Sequence, residues 1–246
     1  MHFDELINKA RDSVSNNSFI IPKEWSQGRT AFGGLLAAMI CTTMQSMVNN
    51  ERLLRSIKTT FANPITMDTP FGIEVVLLRE GRTVTHMEGR AVQSDKTVVI
   101  VLASFGIPRD SDLSIDAVDA PVLPPPEKGI VLPEMPNVII PDFIKHFDFR
   151  WVTDDLPFTG SQNSQVVGWI RFSEEPAQFT DSHLIALIDA WPVGMILMLD
   201  KPAPSSTLSW NIELIHPHSV APDEWLLYKA EIQHAEAGYA YEKASI

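Results

Sequence analysis

The chain has 246 residues, 45% hydrophobic and 20% charged, with a formal net charge of −12 and a pI near 4.9. That length suits one large domain or two of about 120 residues. The acidic balance argues against nucleic acid as a partner but allows one anionic small molecule held by local Arg or Lys.

No apolar run of about 18 residues is free of both charge and proline, so no membrane span is expected. The N-terminus, MHFDELINKARDS, lacks the basic-then-apolar build of a secretory signal. Cys41 has no second cysteine to pair with, and a cytoplasmic location is expected.

In chain order, Phe3, Leu6, Ile7 and Ala10 recur at helical spacing and predict a helix over 3–15. SFIIPKEW reads as a short extended piece. QGRTAFGGLLAAMICTTMQSMV follows, with Gly33 and Gly34 opening a strongly apolar helix to about Val48. Four strand-like segments come next, at 54–64, 71–81, 82–93 and 96–106. The turns REGR and QSDK join the last three as a meander.

Residues 107–142 are dense in proline and read as an extended linker pinned by interleaved Val, Leu and Ile. The first unit is therefore 1–106, the linker 107–142 and a second unit 143–246. In the second unit, strands are expected at 147–155 and 165–175. A helix is expected at 181–199, with Thr180 or Asp181 as N-cap. Further strands are expected at 206–217, 224–234 and 238–246.

The second unit repeats the grammar of the first. FANP at 61–64 falls on LIHP at 214–217, an offset of 153 (214 − 61). This reads as an internal duplication of a helix plus an antiparallel sheet. At that offset the counterpart of strand 96–106 lies near 249–259, past Ile246. Either the second repeat lacks its last strand or the chain continues.

The sequence contains no G-x-S-x-G, P-loop, G-x-G-x-x-G or CxxC motif, and no cofactor is expected. His216 and His218 form HPH without a carboxylate or Cys at ligand spacing, which is a weak metal site. Cys41 lies in the helix-core pattern AAMICTTM with no activating base in sequence.

Asp189 breaks its pattern. It is the one charge in LIALIDAWPVGMILML, three residues before Pro192. It can cap a proline kink. It can also serve as a base, with Thr207 and Ser209 at the start of the next strand as hydroxyl partners that hold and deprotonate a water. At offset 153 it falls on Leu36, so the acid belongs to one repeat only. Arg29 and Arg82 are candidate anion binders, with surface ion pairing the ordinary alternative. Trp191 and Trp210 flank Asp189 as core residues or as walls of an acyl pocket.

QGRTAFGGLLAAMI resembles the first-helix signature of the hotdog fold, in which an antiparallel sheet wraps a long helix. GRTVTHMEGRAVQSDKTVVIVLASFG is similar to the strands that follow in TesB-like (type II) acyl-CoA thioesterases. LIDAWPVG and TLSWNIELIHP resemble that family's second hotdog. The resemblance runs from about Phe19 to Ile246.

It implies an α+β double hotdog that hydrolyses acyl-CoA to free acid and CoA, commonly as a homo-oligomer (dimer or tetramer). Asp189 and Thr207 match the family's catalytic Asp and Thr. The family's Gln would lie past Ile246, and Gln233 sits on an earlier strand. The Gly33 and Gly34 amides are expected to stabilise an oxyanion. The alternative reading is a non-catalytic acyl-CoA or lipid binder. A hotdog dehydratase lacks a convincing Asp/His pair.

Overall fold

The computed structural model describes residues 1–12, 17–133 and 138–246. Helix α1 (Phe3–Asp12) buries Phe3, Leu6, Ile7 and Ala10, the apolar stripe the sequence sets at helical spacing. Positions 13–15 of the predicted helix lie outside the described residues. The expected extended piece is a single bridge between Phe19 and Phe71, followed by a 3-10 turn at Lys23–Trp25. A tight hairpin, β1 (Ser26–Gln27) and β2 (Thr30–Ala31), turns at Gly28 with φ 68°.

Helix α2 (Gly33–Gln45) buries ten of its residues, among them Leu35, Leu36, Met39 and Ile40. Each large side chain removed from water contributes roughly 1.5–3 kcal/mol, so α2 is the axis of the first unit. The helix stops short of Val48, in turns closed by Ser46 and Met47 amides. It packs on β3 (Leu53–Phe61), β4 (Gly72–Glu80), β5 (Val84–Gln93) and β6 (Lys96–Gly106). Strand β5 alternates buried and exposed positions, as a sheet with one face on a helix requires.

The linker leaves the sheet at Ile107. Leu113, Ile115, Val118 and Val122 are all exposed, so interleaved apolar residues do not pin its first half. One to three residues separate these side chains, among them Ser114, Asp116, Asp119 and Pro121, and the irregular spacing gives no shared apolar face. The chain is tied down only later. Trp169 Nε1 donates to Pro124 O at 2.9 Å, and Ile130 bridges Trp151. Residues 134–137 lie outside the described residues.

The second unit contains β7 (Phe147–Trp151), β8 (Gln165–Phe172), α3 (Asp181–Ala190), α4 (Met195–Met198), β9 (Ser209–Glu213), β10 (Leu226–Glu236) and β11 (Tyr239–Ser245). The N-cap of α3 is Thr180, whose amide donates to His183 Nδ1 at 3.2 Å. The predicted helix 181–199 is two helices. Pro192 has no N–H to donate and forces Trp191 out of helical geometry, to φ −71° and ψ 139°. Asp181–Met198 as a whole is long and apolar enough to cross a membrane, but it is broken at this point and 56% of it is buried inside the protein.

One sheet has the order β4-β5-β6-β3-β9 and the other β11-β10-β8-β7. Strand β9 belongs by sequence to the second unit yet pairs antiparallel with β3, with Ile57 opposite Ile212. In the first unit β6 lies between β5 and β3. Among the described residues no strand lies between β11 and β9, the corresponding places in the second unit.

The duplication is visible in fine detail. The β4–β5 hairpin has a register shift at Leu78 and the β10–β11 hairpin has one at Gln233, an offset of 155 (233 − 78). The helices follow a different offset, because the stretch between α4 and β9 is longer than its counterpart between α2 and β3. The pairing of Asp189 with Leu36 at a constant 153 is therefore not the structural one.

Candidate active site

Helices α2 and α3 cross antiparallel with small residues between them. Thr42 Oγ1 and Ser182 Oγ lie 2.6 Å apart near one end, and Gln45 Nε2 donates to Asp181 at 2.6 Å beyond it. At the other end the last turn of α3 brings Asp189 against the first turn of α2. A Cβ added to Gly33 would lie 3.0 Å from Asp189 Oδ2 and 2.8 Å from the Phe61 ring. One added to Gly34 would lie 2.6 Å from the Phe32 ring and 2.9 Å from Asp189 Cβ. The glycine pair is what lets the carboxylate approach the helix start.

Asp189 is half-buried. Burial pushes its carboxyl up to about 7, while the Gly34 amide pulls the other way. That amide is one of the unpaired donors at the N-terminus of α2, where partial positive charge favours an anion. The Trp210 indole also favours the ionised form, from a position short of full hydrogen-bond geometry. Gly34 N–H therefore serves the carboxylate in this structure, and not a free oxyanion site.

Trp210 is half-buried on β9, stands opposite Thr59 of β3, and lies 6.0 Å from the Phe61 ring. Thr59 Oγ1, Trp210 Nε1 and Trp191 Nε1 are buried polar atoms without a hydrogen-bond partner among the described residues. Buried donors are normally paired; this hydroxyl and this indole lie on paired residues of β3 and β9, and the indole is the one beside Asp189.

Trp191 follows Asp189 by two residues and is buried. It stacks on Tyr228 with centroids 5.6 Å apart and meets Trp151 and Phe149 edge-on. Tyr228 on β10 faces two carboxylates, Glu242 and Asp189. Burial and both negative charges push its hydroxyl well above its ordinary range. Glu242 on β11 accepts from Gly194 N–H at 2.5 Å, and its burial raises its pKa. This bond ties β11 to the turn between α3 and α4, the turn that carries Trp191.

The structure thus brings together Asp189, Gly33, Gly34 and Trp210, with Trp191 on the adjoining wall. Thr207 is exposed, lies two residues before β9, and makes no hydrogen bond to Asp189. Arg29 is exposed at the β1–β2 turn, and Arg82 is exposed at the β4–β5 turn. Arg82 sits near the Leu53 end of β3, whereas Asp189 sits near the Phe61 end. Gln233 is exposed at the β10 bulge. His216 is exposed while His218 bonds Asp181 at 3.0 Å, so the HPH pair does not act together. Burial pushes the Cys41 thiol far up, which suits core and not a nucleophile.

Thr59, Tyr228 and Glu242 carried no signal in the sequence. Each sits in strand-like sequence without a motif, and only strand pairing brings it to the site. Glu242 alternates with Ala240 and Ala244 along β11, a pattern that by itself marks no site.

The N-terminal acyl-CoA thioesterase domain model matches residues 21–106, and the C-terminal domain model matches residues 117–246. No curated protein matches the chain. Among solved structures it is similar to a conserved hotdog protein of unknown function from Alicyclobacillus acidocaldarius (23% identity, 97% of this chain and 90% of that one, TM-score 0.79). It is also similar to a tesB protein from Mycobacterium avium subs paratuberculosis (18%, 99% and 91%, TM-score 0.75). An acyl-CoA thioesterase II, TesB2, from Mycobacterium marinum is a third (19%, 98% and 88%, TM-score 0.69). The chain belongs to the acyl-CoA thioesterase family, as a TesB-like double-hotdog thioester hydrolase.

Proposed function

We propose that the chain hydrolyses fatty acyl-CoA to free acid and CoA, with Asp189 as the base for the attacking water. The observation that carries this is one carboxylate, half-buried at the start of α2 and held near neutral pKa. An acid of that strength exchanges a proton readily at working pH.

Water oxygen attacks the thioester carbonyl carbon as Asp189 takes its proton. The carbonyl oxygen becomes an oxyanion, for which Trp210 Nε1 and Thr59 Oγ1 are the unpaired donors at hand. The C–S bond then breaks, and Asp189 returns the proton to the leaving thiolate. Gly33, Gly34, Trp191 and Trp210 shape the acyl side of the cleft. Arg29 and Arg82 contact anionic parts of the substrate only if it extends beyond that cleft. Thr207 is tested directly, since Thr207→Val lowers kcat if its hydroxyl takes part and leaves kcat unchanged if it does not.

A cytoplasmic homo-oligomer, dimer or tetramer, is part of the same proposal. Light scattering on the purified chain reads its mass. The central experiment is thiol release from a panel of acyl-CoAs. Asp189→Asn is expected to lower kcat by roughly 10²–10⁴. Ligand binding with no thiol release across the panel overturns the hydrolytic reading in favour of a binding protein.

A further inference from the structure

The chain carries 31 acidic and 19 basic residues. Yet five of its ten arginines, Arg52, Arg55, Arg79, Arg82 and Arg109, meet at one end of the first sheet. Two concavities of about 460 and 420 Å³ adjoin there and share Val84. Arg55 and Arg109 line one, and Arg79 and Arg82 line the other.

The five guanidinium groups divide into two kinds. Arg52 donates to Gly81 O and Thr85 Oγ1, both at 2.8 Å, and so braces the turn that presents Arg82. Arg55 donates to Ile215 O at 2.8 Å and so ties the floor to the chain after β9. These two are structural. Arg79, Arg82 and Arg109 are exposed and, among the described residues, have no carboxylate within ion-pair distance. The acids nearby are Glu80, which pairs with Arg52 at 3.7 Å, and Asp110 on the rim of the first concavity.

On a surface rich in carboxylates, three unpaired guanidinium groups around a braced turn form a local positive field. A guanidinium fork matches a phosphate group in two parallel hydrogen bonds. We propose that this end of the sheet binds a free small molecule carrying a diphosphate group, held where the two concavities adjoin at Val84 beside the turn that presents Arg82.

The site is separate from the acyl cleft. Val84, Gly106 and Leu53 form one end row of the sheet, and Phe61 by Asp189 lies at the other end of β3. Eight residues of strand span about 26 Å. The phosphate groups bound there therefore lie away from the reacting end of the substrate.

The test is calorimetric titration of the full chain with inorganic pyrophosphate, ionic strength being held constant with KCl. Saturable one-site binding is expected. The double variant Arg82→Ala/Arg109→Ala, whose side chains make no hydrogen bond or ion pair among the described residues, is expected to weaken it at least tenfold. Arg29→Ala and Asp189→Asn are expected to leave it unchanged. Equal binding by the double variant, equal loss in Arg29→Ala, or no saturation at constant ionic strength overturns the proposal. None of these outcomes depends on thiol release, so failure here is distinct from failure of the hydrolase reading.

Discussion

Burial holds the Asp189 carboxyl at about 7, against about 3.9 for an exposed aspartate. The folded state then binds this proton more tightly than the unfolded chain. Between about pH 4 and 7 stability falls as pH rises, and above about 7 the loss is complete. Activity runs the other way, because the base must be ionised: kcat/KM is expected to rise through about pH 7 and level off above it. Asp189→Asn removes the charge, so it should raise the melting temperature at pH 8 while nearly abolishing turnover. The expected gain is on the order of 1–3 kcal/mol, discounted for partial solvent access. A variant less stable than the parent at pH 8 counts against a carboxylate whose ionised form is disfavoured by desolvation.

Gly34→Ala tests the same contact from the other helix. Its Cβ meets the Phe32 ring and Asp189 Cβ inside van der Waals distance. Overpacking of this kind costs roughly 1–3 kcal/mol, and the displaced carboxylate should lower kcat more than it raises KM. Unchanged kcat, read alongside thermal denaturation, is inconsistent with the tight α2–α3 crossing. That Asp189 and the glycine pair are exceptional was legible in the sequence, since a lone charge and a lone GG each break an apolar pattern. That they touch was not, because nothing local says which helix faces which.

At the scale of elements, the break between α3 and α4 is set by Pro192, but its shape is set by β11. Glu242 accepts from Gly194 N–H and so holds the turn behind Trp191. Glu242→Ala leaves that amide without its acceptor and should lower stability by about 1–3 kcal/mol and reduce kcat. Glu242→Gln keeps an acceptor and should recover most of both. Equal damage from Ala and Gln, measured by melting temperature and thiol release, indicates that charge and not the hydrogen bond matters. Helix positions were readable because apolar spacing encodes them. The strand at 206–217 was read too long, since β9 ends at Glu213. Its length is decided by how much of β3 it can pair with, a partner some 150 residues earlier in the chain.

Across the whole molecule, the exposed surface is 14416 Å², more than the roughly 11,000 Å² expected of a globule of this mass. Much of the excess lies in the open linker around 109–122 and in the exposed side chains of β11. Limited trypsin digestion is expected to cut first near Arg109, and the two fragments should elute together on gel filtration. They share a sheet through β3 and β9 and a helix crossing through α2 and α3. Fragments that separate without denaturant overturn this shared-core arrangement.

Periodicity, turn residues and the recurrence of FANP in LIHP were enough to establish a duplicated helix-and-sheet unit, because these are local properties of the chain. Tertiary structure alone decided that β9 crosses into the first sheet, that the two repeats follow unequal offsets, and that Thr59, Tyr228 and Glu242 gather near Asp189. Those outcomes depend on non-local pairing, whose register and partner choice are set by the burial of faces that meet only when the chain has folded.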